Sequence, residues 1–132
     1  MSVLDLESSF RLLVYVPPGR EEVEKLILCD IEKTIPRSLI EVFRSFDDVK
    51  KRLSVPLAWD AVALLVPIDR ADLLNLVALS EFLNGIPVLI LLPDQNPETV
   101  AIAHQLRPRF LTFIGDDSAD LLSVIKKVSE NR

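Results

Sequence analysis

The chain has 132 residues, of which 49% are hydrophobic, and 15 Lys and Arg against 20 Asp and Glu leave a net charge of −5. That length suits one domain, residues 1–132, burying about 68% of the surface its unfolded chain would expose. The acidic balance excludes nucleic-acid binding by this chain alone, because it repels phosphate backbones, and no apolar run reaches the roughly 18 residues of a membrane span.

Residues 1–9, MSVLDLESS, read as a lead-in with acidic residues where a signal peptide carries basic ones, so a cytoplasmic address is expected, with no membrane partner. Phe10 to Val16, FRLLVYV, has the content of a first strand and stops at Pro17-Pro18-Gly19, which neither helix nor ladder passes easily. Glu21 and Glu22 then fall in a first helical turn, where carboxylates favour the positive end of the helix dipole. Val23, Leu26, Ile27 and Ile31 repeat at helical spacing, and Pro36 closes the helix. The one cysteine, Cys29, lies in this helix with no histidine beside it; it cannot form an internal disulfide and reads as a packing residue.

Ser38 to Arg44, SLIEVFR, is a second strand whose charged Glu41 and Arg44 suit a sheet edge. Ser45 ahead of Phe46, Asp47 and Asp48 is close to a capping box and opens a short helix with Phe46, Val49 and Leu53 on one face. Trp59 leads into Asp60 to Ile68, DAVALLVPI, a continuous apolar run suited to a strand buried on both faces. Asp69 and Asp72 have N-cap and third-position spacing ahead of LLNLVALSEFL, a third helix ended by Gly85 and Pro87.

Pro87 to Leu92, PVLILL, is a fourth strand, apolar throughout. Asn96-Pro97 starts a fourth helix, since proline at the first helical position loses no needed donor, and Val100, Ile102, Ala103 and Leu106 carry it to Pro108. Phe110 to Ile114 is the fifth strand; Asp116, Asp117 and Ser118 offer caps to a last helix with Leu121, Val124, Ile125 and Val128 facing inward. Strands alternating with helices predict a three-layer α/β domain, because each parallel crossover packs its helix on a sheet face. Two wholly apolar strands, two mixed ones and an intermediate first strand fit a flavodoxin-like (βα)5 arrangement, a parallel five-stranded sheet in the order 2-1-3-4-5 with strands two and five at the edges.

Four stretches in this order, IEVFRSFDDVKKRL, WDAVALLVPI, PVLILLPD and RFLTFIGDDSADLLSVIKKV, resemble the receiver domains of two-component response regulators. The resemblance implies phosphoryl transfer to an aspartate after the third strand. Such a site needs a pair of acids to hold Mg²⁺, the acceptor carboxylate, a hydroxyl, and a lysine to neutralise phosphate charge. Carried onto this chain, the acid pair falls on Val16 and Pro17, the acceptor on Val66 or Pro67, the hydroxyl on Leu92 and the lysine on Phe113. None of these side chains can perform its part, so the resemblance is to a degenerate receiver of the pseudo-receiver type, not an enzyme, with no metal and no cofactor. Asp69 lies two or three positions past the acceptor place and reads as a helix cap.

Two functions remain open. The first is a phosphorylation-independent signalling domain that binds a protein partner, or a second copy, through the fourth helix, fifth strand and fifth helix. Ala101, Ile102 and Ala103 cannot all point inward on that helix, and with His104 and Phe113 they mark the candidate face; a fuller burial of the helix is the alternative. The second is a small-molecule or anion sensor, or an unrecognised enzyme, in the crevice beyond strands one and three, with Arg20, Asp69 and Asp94 converging on a ligand. His104 has no second histidine or cysteine to share a metal, and glycine-rich nucleotide loops and the nucleophile elbow are absent from the sequence.

Overall fold

The fold was obtained as a computed structural model, which describes residues 10–55, 60–116 and 119–130. Strand β1 (Phe10–Tyr15) is followed by α1 (Glu21–Ile31), β2 (Ile40–Phe43), α2 (Phe46–Leu53), β3 (Asp60–Leu65) and α3 (Arg70–Val77). Then come β4 (Val88–Leu92), α4 (Pro97–Ala103), β5 (Phe110–Phe113) and α5 (Ala119–Glu130). All pairings are parallel and the order is β2-β1-β3-β4-β5, the flavodoxin-like arrangement expected from strands alternating with helices and from which strands are apolar.

Strand side chains alternate between faces, and each face has its own helical cover. Leu12, Val14, Val62, Leu64 and Leu89 point to one side, where Ile27 and Ile31 of α1 and Leu121 and Ile125 of α5 pack on them. Leu13, Tyr15, Ala63, Leu65 and Ile90 point to the other, under Val49 and Leu53 of α2, Leu73 and Leu76 of α3, and Ala103 of α4. The residues Ala61–Val66 and Val88–Leu92 are buried without exception, as strands with no solvent side require. Edge strand β5 is only half-buried along its length, and β2 beyond Ile40 likewise.

Helix starts follow local chemistry. The Ser45 hydroxyl accepts from the Asp48 N–H (3.1 Å), the Asp69 carboxylate from the Asp72 N–H (2.8 Å), and the Asn96 side chain from the Glu98 N–H (2.9 Å), with Pro97 at the first helical position. On the β2 edge, Glu41 accepts from Arg52 Nε (2.8 Å) and Nη2 (3.3 Å), and Arg44 pairs with Glu24.

The structure corrects several expectations. Leu26 is 70% exposed and Cys29 is exposed beside it, three residues on; the inward side of α1 belongs to Val23, Ile27, Leu28 and Ile31, so Cys29 is not a packing residue. The regular part of α1 ends at Ile31 in tighter turns instead of continuing to Pro36, and a single 3₁₀ turn, Arg37–Leu39, precedes β2. Helix α3 ends at Val77, after which Leu79, Ser80 and Phe82 donate to carbonyls three residues back while Leu79 and Leu83 stay buried. Helix α4 tightens into a 3₁₀ turn at His104–Leu106 and stops at Arg107, which has φ 51° and ψ 56°. Pro108 disfavours a right-handed helical conformation at Arg107, and a left-handed residue caps the helix end; with an arginine there the cost is about 1–2 kcal/mol. Trp59, residues 1–9, and the expected caps Asp117 and Ser118 lie outside the described residues. Among the described residues, no helix is long and apolar enough to cross a membrane.

Leu64 has no exposed surface at the centre of β3. Leu64→Ala is expected to destabilise the fold by about 2–5 kcal/mol, read from the midpoint of urea denaturation with the slope unchanged.

Candidate functional site

An open parallel sheet offers a crevice beyond the carboxyl ends of its strands where the strand order reverses, here between the segments that follow β1 and β3. The ladder runs one residue further into this mouth. The Val16 N–H donates to the Phe43 carbonyl and the Val66 N–H to the Tyr15 carbonyl, each at 2.9 Å. Val16, Val66 and Leu92 have no exposed surface, Pro17 and Pro67 are buried, and Phe113 is half-buried on the α4 side of the sheet. A hard cation such as Mg²⁺ takes oxygen ligands, and no side chain at Val16, Pro17, Val66 or Pro67 carries one. The residues present do not fit a magnesium-dependent phosphoryl site.

The two loops are tied together across the crevice. Arg20 Nη2 donates to the Ile68 carbonyl at 2.9 Å. Gly19, with φ 96°, lets the first loop settle on Ile68: a Cβ there would stand 3.0 Å from Ile68 Cδ1. The Arg20 Nε is buried and has no hydrogen-bond partner, so the guanidinium is held here at a cost its one bond only partly offsets. The Gly19 N–H donates to both Glu21 carboxylate oxygens at 3.1 Å, which holds the Glu21 carboxyl below the usual carboxylate range.

Beneath this bridge lies a contact that sequence reasoning missed. The Tyr15 hydroxyl donates to Asp72 Oδ1 at 2.7 Å while the Ile68 N–H donates to Asp72 Oδ2 at 3.0 Å. One carboxylate thus links the last residue of β1, the loop after β3 and the first turn of α3. Burial pushes the Tyr15 phenol above its ordinary range, and its hydrogen bond to Asp72 and the negative charges of Asp72 and Asp69 push it further. The third-position spacing of Asp72 signals a carboxylate that reaches back along the chain; its partner Tyr15 is 57 residues away and leaves no local signal.

The candidate ligand residues do not converge as free groups. Asp69 is exposed as the N-cap of α3, Asp94 is exposed and accepts from the Asn96 N–H at 2.9 Å, and Arg20 is engaged with Ile68. Asp116 accepts from the Thr112 hydroxyl at 3.1 Å. Among the described residues, no group of three His, Cys, Asp or Glu side chains is placed to share a metal ion. On α4 the apolar triplet divides as the helical period dictates: Ala103 is buried, Ile102 half-buried and Ala101 exposed, with His104 exposed on the following turn.

The class these features define is an α/β flavodoxin-like domain with a parallel sheet in the order 2-1-3-4-5 and an apolar, bridged crevice. No protein-family model and no curated protein matches the chain. Among solved structures it is similar to a protein of Burkholderia pseudomallei provisionally described as pilus assembly-related, with 17% identity and a TM-score of 0.62 over 94% of this chain and 92% of that one. At that identity the likeness shows the fold.

Tyr15 keeps its proton in the folded state to a higher pH than its ordinary 10.0, so unfolding releases that proton as the pH rises past 10.0. The stability from this group is complete below about pH 10 and is lost progressively above it. Tyr15→Phe is expected to cost about 1 kcal/mol at neutral pH and to flatten the alkaline decline, measured by urea denaturation from neutral pH upward.

Proposed function

We propose that this chain is a receiver-like domain that works without phosphoryl transfer, in the cytoplasm, by binding another protein. The observation that carries the proposal is the mouth of the crevice, where Val16, Pro17, Val66, Pro67 and Leu92 are packed into the core under the Arg20–Ile68 bridge. Those five side chains offer a phosphoryl group neither an acceptor nor ligands for a divalent cation, which leaves the outer surfaces to act. The strand order agrees with the receiver resemblance of the sequence.

The contact surface we assign is the face of α4, β5 and α5, with exposed Ala101 and His104 and half-buried Ile102 and Phe113. Among the described residues, β5 is an edge strand that pairs with β4, so its outer side borders this face with an open strand edge. Its partner is a signalling protein or a second copy of the chain. The fold likeness to a protein described as pilus assembly-related adds one setting, an assembly process in which this domain serves as a docking module. A sensor built on Arg20, Asp69 and Asp94 has less support, since each is engaged by the loops it belongs to or joins.

Incubation with acetyl phosphate and Mg²⁺ is expected to leave the intact mass unchanged. A stable phosphate adduct that disappears in Asp69→Ala would overturn the proposal. Ala101→Glu is expected to change stability by no more than about 0.5 kcal/mol while weakening association. Light scattering reads the self-associated form, and capture of the partner from cytoplasm by the intact chain reads the heterologous one.

A further inference from the structure

At the end of the sheet opposite the crevice, the turn after α3 and the turn after α4 enclose an open cavity of about 590 Å³, within the range of small-ligand sites. Its apolar wall is formed by Leu83, Ile86 and Leu106, and the amides of Asn84 and Gln105 stand exposed at its margin. Two arginines, Arg107 and Arg109, also line it and are exposed.

These arginines differ from the others among the described residues. Arg11 and Arg52 are engaged with Glu41, Arg37 with Glu32, Arg44 with Glu24, Arg70 with Glu98, and Arg20 with the Ile68 carbonyl. Among the described residues, Arg107 and Arg109 are the arginines whose side chains make no hydrogen bond or ion pair, and they share one cavity. The cavity sets a single acid, Glu81, against them. In a chain with a net charge of −5, such a local positive excess draws anions.

Arg107 sits in the left-handed region, φ 51°, at a helix end where glycine or asparagine would be accommodated with less strain, a conformation that Pro108 and the helix stop account for. We propose that this cavity binds a small organic anion, with its phosphate or carboxylate head held by Arg107 and Arg109 and its remainder resting on Leu83, Ile86 and Leu106. Planar guanidinium forks suit either head group, because each can donate two parallel hydrogen bonds to a pair of oxygens. The Asn84 and Gln105 amides would serve polar groups on the body of the ligand. This site lies at the other end of the sheet from the crevice between β1 and β3, and through Gln105 and Leu106 it adjoins His104 on the proposed partner face.

The test is titration of the ¹⁵N-labelled full chain with pyrophosphate and, separately, with citrate, at constant ionic strength set by chloride. Saturable shifts are expected at the Asn84, Gly85, Arg107 and Arg109 amides and at the Nε–H groups of both arginines. Response to pyrophosphate assigns a phosphate head, and response to citrate a carboxylate head. Arg107→Gly relieves the left-handed strain, so its melting temperature is expected to stay level or rise while anion affinity falls by about tenfold or more, the loss of one charge-assisted contact. Arg109→Gln, which leaves the backbone untouched, should lose affinity to a similar degree. The absence of saturable shifts with either anion, or wild-type affinity in both variants, would overturn the proposal.

Discussion

A strand in the middle of a parallel sheet has helices over both faces, so none of its side chains can be spent on water. In β3 this holds from Ala61 through Leu65, and the register with β1 and β4 makes it a condition of the whole sheet. The same condition reaches the site. Because Val66 and Pro67 continue the buried run past the end of β3, the position from which a parallel sheet usually presents chemistry is packed with hydrocarbon instead. The equivalent places beyond β1 and β4, at Val16, Pro17 and Leu92, complete that packing.

What remains polar near the crevice serves to hold it together. Asp72 takes one hydrogen bond from the Tyr15 hydroxyl and one from the Ile68 N–H, and Arg20 returns to the Ile68 carbonyl from the other loop. Ile68 is therefore gripped at both backbone groups, and its side chain lies where Gly19 leaves room. A crevice built this way joins β1, β3 and α3 through hydrogen bonds that meet at Ile68 and Asp72. The loops are tied together by neutral and charge-assisted hydrogen bonds supplied by the fold itself.

The opposite end of the sheet shows the reverse economy. Among the described residues, the other arginines are matched to carboxylates or a carbonyl, whereas Arg107 and Arg109 stand together with no such match and Arg107 carries backbone strain. Recognition surfaces differ from structural ones in this respect, because groups satisfied within the fold have little left to offer a ligand.

Much of this protein is local and was therefore legible in the chain. The apolar runs at Asp60–Ile68 and Pro87–Leu92 determined which strands are central, charged Glu41 and Arg44 determined an edge, and Ser45, Asp69 and Asn96 determined where helices begin, because caps and periodicities act over a few residues. The sequence also showed that Val16, Pro17, Val66, Pro67, Leu92 and Phe113 stand where its resemblance to receiver domains would place phosphorylation side chains. Tertiary structure alone decided that Leu26 and Cys29 face outward, since an apolar residue near the border of a helical stripe can fall on either side. It alone brought Tyr15 to Asp72 across 57 residues and gathered Arg107, Arg109 and the turn after α3 around one cavity. Those contacts depend on which strands become neighbours, and a parallel sheet makes neighbours of segments that the chain itself keeps far apart.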